Sequence, residues 1–186
     1  MAMAAVSSMI MLPVEIAKYF MTFLMENCKF AQHDKDMRVL IQRVTQAKVI
    51  INKQTERSIG QGLVIFVGIE AADGTEDILW LVKKILGLRI FDDALGVMNL
   101  SVEEIRGSIL CISQFTLHAS TKKGNRPSYS RAAKPEAARP VYDQFLIELR
   151  KATDLVVESG EFGADMQVYL INDGPVTIWM DTKNKE

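Results

Sequence analysis

The sequence predicts an α/β fold: a mixed, largely antiparallel or barrel-like sheet with two main helices, preceded by an extra N-terminal helical extension. Three observations carry this. Apolar runs of strand length recur through residues 37–186. Two segments among them space their apolar residues as a helix does. Residues 1–36 differ in composition from everything after them.

The extension holds Met1, Met3, Met9, Met11, Met21 and Met25, six of the ten methionines. Pro13 suits a first helical turn, and Val14 to Phe23 have near-helical apolar spacing before the chain turns polar at Gln32–Asp36. No basic start precedes the apolar part, as a secretory signal requires. Glu15 and Glu26, with no arginine, argue against a transit peptide. The stretch reads as an extension that packs as a loose helix, with targeting or partner binding as alternatives. The domain body is set at 37–186.

Arg38–Val44 and Ala47–Ile51 form a strand-like run, followed by turn chemistry at Asn52-Lys53-Gln54. Ile59 to Ile69, with Leu63-Val64-Ile65-Phe66-Val67 at its centre, reads as a buried strand. A helix starts near Thr75, which is placed as its N-cap. Ile78, Leu81, Val82, Ile85 and Leu86 give it one apolar face, and Gly87 ends it. Asp92–Gly96 is a turn between Ile90-Phe91 and Met98–Leu100. Ser108 to Leu117 is a second buried strand, and His118 to Ala133 a polar loop. Pro135 to Ala152 place Ala138, Val141, Tyr142, Phe145, Leu146 and Leu149 at helical spacing. Glu161–Ile171 is a strand, Asn172–Pro175 an interruption, and Val176–Met180 the last strand.

Composition narrows the function. At 48% hydrophobic and 24% charged residues the chain is globular, and no apolar run is long enough for a membrane span. Twenty-two cations against 23 anions leave a net charge of −1, so any nucleic-acid contact must come from a local patch. Cys28 and Cys111 are too few for a disulfide framework and fit a reducing compartment. His33 and His118, the only histidines, exclude a His-based metal site with several ligands unless carboxylates supply the rest. No metal and no cofactor is expected.

Three places offer chemistry. Ser113-Gln114-Phe115-Thr116-Leu117 closes an apolar strand with polar groups that are costly to bury unless they serve a site or satisfy nearby backbone. Asn172-Asp173-Gly174-Pro175-Val176-Thr177 sets a proline in a strand pattern, which calls for an edge, a bulge or a plain turn. The loop from Thr121 to Lys134 carries Lys122, Lys123, Arg126, Arg131 and Lys134 with no acid. It is either a solvated loop or a phosphate-binding patch, in which Tyr129 could stack on a base.

Ser-Gln-Phe-Thr-Leu at 113–117 and Asn-Asp-Gly-Pro-Val-Thr at 172–177 resemble the two signature motifs of the D-aminoacyl-tRNA (D-tyrosyl-tRNA) deacylase family. Met37–Val44, Thr121–Pro127 and Gly160–Val168 resemble the family's amino terminus and intervening segments. The resemblance spans Met37 to about Asp181; residues 1–36 have no counterpart in it.

The resemblance implies a cytoplasmic hydrolase that frees tRNA from D-amino acids, and from glycine on a wrong tRNA, without metal or cofactor. It implies a homodimer with its active site at the subunit interface. There a cis Gly174–Pro175 pair from one subunit would reach the partner's site and reject L-aminoacyl esters. Phe115 would stabilise the developing oxyanion through its backbone N–H, with the tRNA 2′-hydroxyl assisting. Thr116 as a nucleophile is the alternative. Ser113, Gln114 and Thr116 would shape the pocket. Gly174, Pro175, Val176, Thr177 and Met166 would meet substrate, and Arg43 would hold the Gly-Pro carbonyls. Lys122, Lys123 and Arg126 are assigned to tRNA phosphates. A non-enzymatic dimeric RNA-binding module and a hydrolase of another ester are the competing readings.

Overall fold

A computed structural model describes residues 37–185, so the N-terminal extension, with its expected helix, lies outside the described residues. The body is α/β, with eight strands and two α-helices: β1 (Arg38–Ile51), β2 (Thr55–Ile59), β3 (Gly62–Gly68), α1 (Thr75–Gly87), β4 (Phe91–Asp92), β5 (Met98–Leu100), β6 (Ser108–Ser113), α2 (Pro135–Ala152), β7 (Val157–Ser159) and β8 (Met166–Asp181).

The main sheet runs β2-β1-β3-β6-β7, with β8 also paired to β1. β1 pairs antiparallel with β2, β3 and β8, whereas β3–β6 and β6–β7 are parallel. The sheet is therefore mixed. It curls toward closure, because β2 approaches β6 and β7 and Arg57 of β2 donates to the Ser159 carbonyl of β7. A curled sheet leaves fewer unpaired edges.

Burial follows from the sequence pattern. β3 reads as a continuous apolar run because both of its faces are covered. Leu63, Ile65 and Val67 join the core beneath the helices, built with Ile78, Leu81 and Ile85 of α1 and Tyr142, Phe145 and Leu149 of α2. Val64 points to the opposite side, where Leu110, Ile112, Val49 and Ile51 form a second core.

Several element bounds differ from the sequence reading. Residues 55–59 and 157–159 are short strands that it left out, being too short to show a period. The buried strand after Ser108 ends at Ser113, because Phe115–His118 coil into a 3₁₀ turn. Helix α1 is capped one residue earlier than expected: Gly74 is the N-cap, and its N–H donates to the Asp77 carboxylate at 3.0 Å. β8 is one strand through the Gly-Pro pair. Gln42 pairs with Thr177 and Val44 with Asn172, so residues 173–176 bulge outward opposite Arg43 alone.

Candidate active site

The site grows from the carboxyl end of β6. Gln114 donates its N–H to the Val67 carbonyl at 2.7 Å, which holds the end of β6 beside β3. The chain then turns through the 3₁₀ segment Phe115–His118, whose first N–H groups have no acceptor within the turn. Close approach to β3 is possible because residue 68 is glycine. A methyl there would lie 3.0 Å from the His118 ring and Leu117 Cβ, and 3.1 Å from the Gln114 carbonyl. Arg38 supports the turn from the side, donating from Nη1 to the Leu117 carbonyl at 3.1 Å while its Nε pairs with Asp181 at 3.2 Å.

Above this turn lies a cavity of about 630 Å³. Ser113, Gln114 and Phe115 form one wall. Ala133, Lys134, Pro135 and Ala138 bring in the start of α2, and Phe162 and Met166 come from the approach to β8. Phe115 is 56% exposed and meets Tyr129 edge-on, ring centroids 5.0 Å apart, so the two rings stand together at the mouth. A largely apolar pocket with a few polar groups has the usual make-up of a small-molecule site.

Of the residues expected at a site, Ser113, Gln114, Phe115 and Met166 meet in this cavity. Thr116 sits on the same turn, and its hydroxyl accepts a hydrogen bond from the Gln114 side-chain amide. Gly174, Pro175, Val176, Thr177 and Arg43 are not among the cavity's lining residues. They gather at the β8 bulge instead. The Gly174–Pro175 bond is cis, and both residues are exposed. Arg43 is buried beneath the bulge. Its Nε approaches the Asp173 carbonyl at 3.3 Å and carboxylate at 3.0 Å, and its Nη1 reaches the Ile90 carbonyl at 2.6 Å and Asp92 at 3.3 Å. Gly174 has φ +113°, and a methyl there would lie 2.9 Å from Val176 and 3.1 Å from the Arg43 guanidinium. In the orientation that satisfies its neighbours, the Asn172 amide donates to the Arg43 and Val176 carbonyls, closing the base of the bulge.

Lys122, Lys123 and Arg126 are all exposed, on a loop pinned shut where Ser120 and Ser128 exchange backbone hydrogen bonds of 2.8 and 2.9 Å. His118 does not line the cavity. It is fully buried under the turn, and burial is the main influence holding its pKa below the usual 6.5. Cys111 is buried in the core, which pushes its thiol up to about 12 and leaves it without nucleophilic character near neutral pH. Among the described residues, no group of three or more His, Cys, Asp or Glu is placed to hold a metal ion. No helix among them is long and apolar enough to cross a membrane.

The sequence reading missed Phe162, Ala138 and the Asp92 contact to Arg43. Phe162 and Ala138 look like ordinary apolar positions in the sequence. Asp92 reads as a turn residue, and nothing local connects it to a residue 49 positions away.

The sequence matches the model of the D-Tyr-tRNA(Tyr) deacylase family over residues 40–181. A D-aminoacyl-tRNA deacylase of Bacteroides thetaiotaomicron is 62% identical over 150 residues, covering 81% of this chain and all of that protein. One from Chromobacterium violaceum is 59% identical over the same extent. Among solved structures, one titled c-Myc DNA Unwinding Element Binding Protein is 40% identical with a TM-score of 0.73, covering 77% of this chain and 97% of that one. A probable eukaryotic D-amino acid tRNA deacylase, 20% identical with a TM-score of 0.67 over 78% of this chain and 99% of that one, shares the fold.

Proposed function

The chain belongs to the D-Tyr-tRNA(Tyr) deacylase family and is a hydrolase, a D-aminoacyl-tRNA deacylase, and from that premise we propose how its residues divide the work. The cavity beside β6 takes the terminal adenosine of the tRNA and the amino acid esterified to it. Its apolar lining, with Phe162 and Met166 facing the β6 end, supports an adenine seat that does not read tRNA sequence. Water attacks the ester carbonyl, the bond to the ribose oxygen breaks, and free tRNA and D-amino acid leave. The backbone N–H of Phe115, at the start of a turn that supplies it no acceptor, stabilises the oxyanion. The tRNA 2′-hydroxyl assists.

Thr116 is the weaker candidate for a nucleophile. Its hydroxyl oxygen receives the Gln114 amide N–H. A donor at that oxygen withdraws electron density from it, whereas activation requires a base that takes the hydroxyl proton. Gln114 and Thr116 instead hold each other and shape the pocket wall with Ser113.

Selectivity resides in the bulge at 173–176. Gly174 and Pro175 lie outside the cavity of their own chain, which supports their use in a second subunit's site. The large side chains exposed along β8, Tyr169, Ile171 and Trp179, offer an apolar surface for that homodimer. Facing carbonyls from Gly174 and Pro175 would accept the substrate's α-ammonium and occupy the space an L side chain needs. Glycine, lacking a side chain, passes the same filter. Val176 and Thr177 flank it, and Arg43 fixes it from below. Lys122, Lys123 and Arg126 contact phosphates of the acceptor end. The cytoplasm, where charged tRNA is used, is the working compartment.

The observation that carries this reading is that the end of β6, carrying Ser113, Gln114 and Phe115, forms one wall of the cavity. Deacylation of matched D-tyrosyl- and L-tyrosyl-tRNA, with glycine on a non-cognate tRNA as a third substrate, tests it. Release from the D-ester and from glycine, with the L-ester intact, is expected. Equal hydrolysis of D- and L-esters would refute the filter, and no hydrolysis of any would refute the enzyme.

A further inference from the structure

We propose that Glu70 is a positioning residue that joins the basic loop to the catalytic turn, so that one carboxylate sets the position of both. This rests on the deacylase reading above.

Glu70 lies just past the end of β3, and only 13% of its side chain is exposed. Its Oε1 faces the Nε of Arg131 at 2.9 Å and the Nδ1 of His118 at 3.2 Å. These partners belong to different working parts. Arg131 closes the loop that carries Lys122, Lys123 and Arg126. His118 is the last residue of the turn that begins with Phe115. The backbone makes the same junction: Glu70 bridges to Ala132, and the Ala133 N–H donates to the Ile69 carbonyl at 2.9 Å. Above it, the Phe115–Tyr129 ring contact links loop and turn a second time.

The imidazole is wedged in this joint. Nε2 faces the Gly68 backbone, Nδ1 faces Glu70, and Arg38 and Arg131 oppose a further positive charge. Neither ring nitrogen nor the Glu70 Oε1 has a well-aligned hydrogen bond. Buried polar groups are seldom left so, and sites that tighten when substrate docks are one place where they are. A phosphate-bearing acceptor end that draws the loop inward would move Arg131, then Glu70, then His118 and the turn holding the Phe115 N–H. His118 acts here without touching substrate.

Steady-state deacylation of D-tyrosyl-tRNA by the full chain, with thermal melts of every variant, tests the joint. His118→Leu keeps volume but removes the ring donor, and should lower kcat by between about 10- and 100-fold with KM little changed. Arg131→Ala should raise KM and, because it cuts the path from the loop to the turn, also lower kcat, though by less than His118→Leu does. The near-isosteric Glu70→Gln should move both parameters, and adding His118→Leu to it should cost no further kcat. His118→Asn, which restores a donor near the Nδ1 position, should recover most of the kcat. The proposal is overturned if Glu70→Gln leaves both parameters unchanged, if the double variant loses the product of the single losses, or if each loss merely tracks the unfolded fraction in the melts. Failure of the unmodified chain to deacylate D-tyrosyl-tRNA would instead overturn the deacylase reading.

Discussion

Replacing Arg43 with methionine would separate the support of the proposed filter from the chemistry proposed for the pocket. The guanidinium is buried and has no water to fall back on. It donates to the Ile90 carbonyl at 2.6 Å and approaches Asp92 at 3.3 Å and the Asp173 carboxylate at 3.0 Å. Methionine fills similar volume but donates nothing. Asp92 is half exposed and Asp173 a third exposed, so both carboxylates can rehydrate at modest cost. The Ile90 carbonyl belongs to a buried residue and cannot do so as easily. An orphaned buried acceptor costs about 1–3 kcal/mol, and hydrogen bonds to charged groups contribute about 1.5–3 kcal/mol each. With the two carboxylates discounted for solvent, the sum is about 3 kcal/mol. That corresponds to a fall in Tm of roughly 6–12 °C for a body of this size. The bulge at 173–176 would lose its anchor while the cavity kept every lining residue. Urea unfolding should therefore show the stability loss. Deacylation below the new Tm should show a lower D-to-L preference with adenosine-end binding retained. A variant as stable as the parent and equally selective would refute the claim that Arg43 holds the filter.

Four further outcomes follow from particular residues. Gly174→Ala forces a side chain into a positive-φ position against Val176 and Arg43, at a cost of about 1–3 kcal/mol, and should lose D-selective activity while the fold persists by circular dichroism. Replacing Lys122, Lys123 and Arg126 together with alanine should weaken binding to all tRNAs alike and reduce the salt slope by about one per lost contact in filter-binding titrations; an unchanged slope would mean the loop is only solvated. A chain beginning at Met37 should fold and deacylate normally, since the Met37 N–H and carbonyl already dock on Thr182, and insolubility of that chain would place residues 1–36 in the core or interface. Because burial depresses the His118 pKa below 6.5, the unfolded chain binds the proton more tightly. Stability should therefore rise with pH from the depressed value up to about 6.5 and fall as pH drops through that window, in denaturation series compared with His118→Asn.

The sequence alone determined the class of the fold and most of its elements. Helices α1 and α2 were legible because a buried helical face repeats at a fixed interval. β3 and the start of β6 were legible because parallel strands covered on both sides become uninterrupted apolar runs. The two motifs at 113–117 and 172–177 were equally plain, since polar residues closing an apolar strand and a proline inside a strand both violate local preference. Tertiary structure decided where those violations sit. The 115–118 turn depends on Gly68 leaving room beneath it, a fact that residues nearly 50 positions apart cannot reveal locally. Residues 172–175 read as a break between strands. They belong to one strand, bulged at 173–176, because β1 continues past them and Arg43 alone faces those four residues. Phe162 and Ala138 became walls of the cavity, Asp92 a partner of the buried Arg43, and Glu70 a partner of Arg131 and the buried His118 ring, only when distant segments met. Periodicity records which face of an element is covered. What lies across that face depends on long-range packing, and the candidate active site is built there.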